Sequence, residues 1–290
     1  MSVTTRRAWV ALVLAVMLGF MGPGCAGPKK IGGDLEQRAR ALNEAGYVYY
    51  RQGRWAAARE KFIEALKLNR LIDRRAGIAT NLNNLGALDQ ELGDLDQAQA
   101  CLEEALALNR EMEDKAGEAE TLNNLGQVYE DQGRIQKAQE TYQEALALAR
   151  ALPPGPLLAL SLMHLGDVAL SRRDFDLALS YYHQALAVDE SAKDPVGQAM
   201  RTQRLGRTFL EMKDYHRAGA YLKEAMAVFR RLENTNGIVE VLNDQIRLAM
   251  AQGDRPEARL NAQLLRKIYE YRGQDREAAK LEEMLSARKH

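Results

Sequence analysis

The chain is 290 residues long, 46% hydrophobic and 28% charged, with 40 basic and 40 acidic residues and no formal net charge. That composition excludes a generally disordered chain, and the charge balance leaves no global field to draw in nucleic acid or an anionic surface. With 22 Gly, 7 Pro and 2 Cys it is neither collagen-like, low-complexity nor disulfide-built, and its abundant Leu and Ala favour helix throughout.

Residues 1–24 differ in kind from the rest. Arg6 and Arg7 form a positive start, Ala8 to Met21 is apolar without a charge, and Gly22-Pro23-Gly24 breaks the run just before Cys25. The apolar stretch is shorter than the ~20 residues of a membrane span, so a secretory signal is expected. A Cys directly after such a segment resembles the lipobox of bacterial lipoproteins, in which the thiol is lipidated and becomes the mature N-terminus. Gly24 suits the position before the Cys, whereas Gly22 and Pro23 depart from that pattern. A plain cleaved signal, or a short uncleaved anchor with Cys25 incidental, is the alternative. The other cysteine, Cys101, is expected as a small buried hydrophobe rather than a reactive thiol. Residues 25–38, with the small, polar run Ala26 to Asp34, are expected as a flexible tether, with ends ~15–18 Å apart for that run.

From Ala39 onward the sequence repeats every 40 residues. Gly46, Gly86, Gly126, Gly166 and Gly206 are in phase; twelve positions beyond stand Ala58, Ala98, Ala138, Ala178 and Ala218; seven further come Ala65, Ala105, Ala145, Ala185 and Ala225. The six units are 39–78, 79–118, 119–158, 159–198, 199–238 and 239–278. In the first half of a unit, Leu122, Leu125, Gly126 and Tyr129 share one helical face; in the second half, Ile135, Ala138, Tyr142, Ala145 and Leu146 do so. Gly53, Gly93, Gly133 and Gly253 sit where helix C-caps belong, and Asp94, Asp174, Asp214 and Asp254 follow as N-caps. Each unit is therefore helix–turn–helix, and no unit can bury its apolar face without its neighbours. Pro153-Pro154-Gly155-Pro156 interrupts the third junction, as a bend or merely a longer loop. The sixth unit, with Gln245-Ile246 in place of the Leu-Gly pair and Leu265 in place of the Ala, ends the series. Residues 279–290 form a capping helix and tail, with Leu281 and Leu285 inward.

The pattern L-x-x-L-G-x-x-Y, a later Gly, A-x-x-x-Y and A-L, as in Leu122 to Leu146, resembles the tetratricopeptide repeat family over about 240 residues. Forty-residue units carrying Asn-Asn-Leu-Gly at Asn83 to Gly86 and Asn123 to Gly126 look like its longer-helix branch, such as kinesin light chain. The resemblance implies an all-α fold: a right-handed α-solenoid whose first helices line a concave groove. Carried over column by column, that groove would show Asn43, Tyr47 and Tyr50 at one end. Asn83, Asn84, Asn123, Asn124 and Gln127 would follow in the middle, then His164, Arg204, Arg207 and Arg247. Asn offers both donor and acceptor to a guest backbone, Arg204 and Arg207 could hold a carboxylate bidentately, and the tyrosines offer large anchors. Alternatively the Asn side chains bond along the helix surface, and the Arg side chains pair with Asp244 and Glu240.

Catalytic signatures are missing from the sequence: no HExxH, no GxSxG and no phosphate-binding Gly loop. His164, His183, His216 and His290 lack metal-ligand spacing. The expectation is a non-enzymatic scaffold without cofactor or metal. It would be anchored through Cys25 in a bacterial cell envelope facing the periplasm, and would bind a peptide segment of another envelope protein rather than nucleic acid. Similar tetratricopeptide lipoproteins serve outer-membrane, pilus or polysaccharide-export assembly, and Ala26 after Cys25 favours the outer membrane by the sorting rule of enteric bacteria. A soluble periplasmic or secreted protein, and a groove that binds glycan or another ligand, are the alternatives.

Overall fold

The computed structural model describes residues 28–274 and 277–281. The signal segment, Cys25 and Leu285 lie outside them. The described residues form twelve helices in chain order: α1 (Pro28–Arg51), α2 (Trp55–Leu71), α3 (Arg75–Glu91), α4 (Leu95–Glu111), α5 (Lys115–Asp131), α6 (Ile135–Arg150), α7 (Pro156–Ser171), α8 (Phe175–Ser191), α9 (Pro195–Glu211), α10 (Tyr215–Arg231), α11 (Thr235–Gln252) and α12 (Arg255–Tyr271). A further helical segment, 277–281, follows. Among the described residues there is no strand, and no helix is long and apolar enough to cross a membrane.

The helix ends obey the sequence signals. Backbone N–H groups of Gln97, Leu177, Arg217 and Glu257 donate to the side chains of Asp94, Asp174, Asp214 and Asp254, which satisfies one orphan donor at each helix start. Gly53, Gly93, Gly133 and Gly253 take positive φ, as C-caps do. In repeats four and five the same left-handed position falls to Arg173 and Lys213, which lack the freedom of glycine. The Pro153–Pro156 run is a longer loop and nothing more. The flanking α6 and α7 have 16 residues each where most helices have 17, so the 40-residue period survives, and Pro156 opens α7 at a first-turn position, where its missing N–H costs no hydrogen bond.

Packing explains the small columns. The Ala residues at positions 20 and 27 of repeats one to five are fully buried. The Gly at position 8 lies directly under the side chain at position 24: a Cβ on Gly126 would stand 2.3 Å from the Tyr142 ring, and one on Gly166 would stand 2.5 Å from the Tyr182 ring. A mid-helix Gly costs about 0.5–1 kcal/mol against Ala. Burying a large side chain contributes about 2–3 kcal/mol, so burial wins. Repeat six exchanges the partners, with buried Ile246 at position 8 and buried Ala262 at position 24.

Residues 28–38, expected as tether, are instead the first turns of α1. Glu36 is the physical reason: its carboxylate pairs with Arg40 at 2.7 Å and with Arg74, the residue before α3, at 3.0 Å, so the segment is fastened to the turn between α2 and α3. Those guanidiniums, Arg40 first, hold the Glu36 carboxyl below its usual range. At the other end Ala278 and Leu281 are buried, and Leu281 joins the cluster of Leu265 and Ala262, closing the stack as a cap should.

The backbones of neighbouring first helices (α1, α3, α5, α7, α9, α11) approach one another in series, whereas those of neighbouring second helices stay apart and are bridged only by long side chains; each second helix of repeats one to five packs on the next repeat's first helix. The stack is therefore tighter on the first-helix side. That side is concave.

Candidate functional site

The concave face begins on α1 with aromatics. The rings of Tyr47 and Tyr50 stack at 6.4 Å, and Trp55 meets Tyr50 edge-on at 5.4 Å. The Tyr50 hydroxyl donates to Glu91 at 3.4 Å, while Tyr47 is 53% exposed. It is an open anchor backed by a fixed ring.

Across repeats one to four the Asn columns form a ladder between helices. Asn81 and Asn84 both donate to the Oδ1 of Asn43, at 2.7 and 2.8 Å. Asn124 donates to Asn83 at 3.0 Å, Asn83 donates to Glu120 at 3.2 Å, and Asn123 donates to Ser161 at 3.0 Å. Gln127 meets the His164 ring at 3.3 Å. Nδ2 of Asn84 and Asn124 is thus spent on the preceding repeat, whereas no hydrogen bond among the described residues uses their half-exposed Oδ1.

In the second half the ladder becomes charged. Tyr142 donates to Glu130 at 2.5 Å and Tyr182 to Asp167 at 2.6 Å. Arg204 pairs with Asp167 at 3.0 Å and donates to Gln203 at 2.9 Å; Gln203 in turn donates to Asp244. Arg247 bridges Asp244, at 3.3 Å, and Glu211. Beneath them Arg201 is paired with Asp189 at 3.1 Å, both side chains buried. Burial raises the carboxyls of Glu130, Asp189 and Asp244 above their ordinary range. Burial also pushes His164 down to about 4, so its imidazole, stacked on the Tyr142 ring at 4.7 Å, is neutral at pH 7.

These contacts correct the expected surface. Asn83, Asn123 and His164, placed on the groove by column, are buried at 7%, 0% and 3% exposure. Adjacent first helices approach closely enough to cover position 5 of repeats two and three, and the Tyr142 ring covers His164. Arg204 and Arg207 do not form one carboxylate clamp, because Arg204 is committed to Asp167; Arg247 is committed to Asp244 and Glu211. Arg207 is half-buried, and among the described residues its guanidinium makes no hydrogen bond or ion pair, acting on Asp244 only at longer range. Tyr47, Tyr50, Asn43, Asn84, Asn124, Gln127, Arg204, Arg207 and Arg247 remain half-exposed or exposed. The sequence reading missed Asn81, Ser161 and Arg201. Their signal was a column of polar residues at position 3, with Thr121 the fourth member, inside otherwise apolar faces.

Four acidic residues of this face, Glu91, Glu120, Glu130 and Asp131, accept only from neutral Tyr, Asn or Gln donors, with no ion pair among the described residues. Repeats two and three thus carry acidic groups without an ion-pair partner among the described residues, and Arg207 offers positive charge in repeat five. Among the described residues no group of three or more His, Cys, Asp or Glu could hold a metal ion. Cys101 is buried, with its thiol pushed up by burial.

A model of the tetratricopeptide repeat matches residues 37–111 and 114–191. The chain belongs to the tetratricopeptide repeat family. The tetratricopeptide solenoid is similar to a Rap protein complexed with competence and sporulation factor, at TM-score 0.70 and 14% identity over 86% of this chain and 74% of that one. It is also similar to PilF of Pseudomonas aeruginosa, at TM-score 0.52 and 21% identity over 85% and 99% of the two chains. Aspartyl phosphate phosphatase F from Bacillus subtilis shares the fold too, at TM-score 0.67 and 13% identity over 89% and 72%. At these identities the likeness is one of fold. No curated protein matches the chain. The tetratricopeptide architecture is that of a protein–protein interaction scaffold.

Proposed function

We propose that this tetratricopeptide protein captures an extended peptide segment of another protein along its concave face, as a non-enzymatic adaptor. The observation that carries the reading is the division of labour within the amide ladder. Each Nδ2 holds the neighbouring repeat in register, and the Oδ1 of Asn84 and Asn124 is left to receive the N–H of a guest backbone. Tyr47 offers an apolar side chain at one end and Arg207 an anion site at the other, with the carboxylates of repeats two and three suited to basic side chains between them. That a Rap protein of similar fold is complexed with competence and sporulation factor supports the reading that this chain holds a partner molecule. A glycan groove would need a row of exposed aromatics; among the described residues the exposed aromatics are Tyr47 and Tyr271, which lie at opposite ends of the chain.

The location belongs to the same proposal: export by residues 1–24, lipid on Cys25, and attachment facing the periplasm of a bacterial envelope, where the guest is part of an assembly. Two experiments test it. Tyr47→Ala combined with Arg207→Ala lowers capture of the partner from envelope extract at least about tenfold, roughly 1.4 kcal/mol, with thermal unfolding within a degree or two of wild type. Unchanged capture removes the groove assignment. Metabolic labelling with a palmitate analogue is lost in Cys25→Ser, and equal labelling removes the anchor.

A further inference from the structure

Each second helix turns positions 22 and 26 of its repeat away from the groove. Repeats one to five hold Glu, Ala or Ser at the first of these and Glu or Gln at the second. Position 26 also ties neighbouring second helices together, through Arg70–Glu104 at 2.9 Å and Arg110–Glu144 at 2.6 Å. Repeat six departs from all of this. On α12 the two positions are Leu260 and Leu264, 52% and 38% exposed, and Tyr271 continues the same face at 94% exposure. Spacings of four and seven residues keep the three on one stripe of the helix.

Two charged residues flank or lie within the stripe. Glu257 accepts only from the neutral amide of Asn261, at 3.0 Å, and among the described residues Lys267 takes part in no ion pair. We infer that this stripe is the contact face of a two-fold dimer of the chain, in which α12 packs antiparallel on its own copy. The reason is self-complementarity. Leu260 and Leu264 lie symmetrically about residue 262, and so do Glu257 and Lys267. One two-fold axis at that height therefore sets Leu260 against Leu264 of the second copy, and Glu257 opposite Lys267 of the second copy, each twice. The same axis brings Tyr271 level with the Gly253 turn, where nothing lies within 4 Å of an added Cβ. A closed homodimer needs a patch that matches itself under rotation, a condition no other occupant imposes. A single helix pair is a small interface, so the dimer belongs to the weak, reversible class. The stripe faces away from the concave side, so both grooves stay open, and the inference does not depend on what they bind.

Sedimentation equilibrium on the full chain in mild detergent tests it, with residues 1–27 unchanged in every variant. The wild type shows a concentration-dependent monomer–dimer equilibrium, and Leu260→Glu with Leu264→Glu is monomeric at the same helical content. Glu257→Lys alone and Lys267→Glu alone each weaken the dimer about tenfold, roughly 1.4 kcal/mol, and the two together restore it. A monomer at every concentration overturns the inference, with the C-terminal residues or a different protein then covering the stripe. A dimer indifferent to the Leu substitutions, or single swaps whose combination restores nothing, overturns it equally.

Discussion

His164 shows how one side chain in this stack answers to its neighbours. In the unfolded chain it takes a proton near 6.5, but inside the fold burial delays that to about 4. The unfolded state therefore binds more protons between those values, so the stability is intact above 6.5 and is lost as pH falls toward 4. The loss is about 2 kcal/mol between pH 7 and pH 5. Glu130, Asp189 and Asp244, held high by burial, act in the opposite sense. The test is therefore a difference: in denaturant titrations at the two pH values, the wild type loses about 2 kcal/mol more than His164→Gln. Equal losses would mean that the ring is solvated. This residue also marks a limit of sequence reading. Periodicity gave the angle of Asn83, Asn123 and His164 around their helices, but their burial depends on how closely the next first helix approaches and on where the Tyr142 ring lies. A single sequence does not state those distances.

At the scale of the helix pair, the close contact between positions 8 and 24 is the feature on which register depends. Gly126→Ala forces a Cβ into the Tyr142 ring, whose hydroxyl is fixed on Glu130 and which cannot swing away without losing that bond. The expected cost is about 2 kcal/mol, the usual penalty for overpacking, read as a lowered midpoint with an unchanged denaturant slope. A neutral result would show that the ring relocates freely. The same contact explains why so much was legible. Small residues recurring in three phased columns define where helices meet, and Asp and Gly at the turns define where they stop, so repeat boundaries and inward faces followed directly. The exchange at Ile246 and Ala262 was visible as a broken column, but the sequence did not reveal that the large partner had moved to the facing helix. The run 28–38 was misread for a different reason. Gly32 and Gly33 suggested flexibility, and the Glu36–Arg74 bond that fastens this segment joins residues 38 apart in the chain.

In the whole molecule each repeat leans on the next, and stability and binding draw on the same contacts. The buried polar junctions between repeats change along the stack, from Asn69–Asn81 through Asn109–Thr121 to the pair Arg201–Asp189, so the seam beneath the groove runs from amides to charges. Breaking that last pair by removing one partner would leave a buried charge, at a cost of about 3–5 kcal/mol; truncating Tyr47 would cost the fold little. That contrast separates the surface available to a guest from the frame that supports it. Site-specific photocrosslinking in living cells tests the central claim most directly, with a photoreactive residue in place of Gln127 on the concave side or of Ala147 on the exposed side of α6. The expected result is a discrete crosslinked partner from position 127 and none from position 147. The same partner from both positions, or from position 147 alone, would contradict capture in the groove.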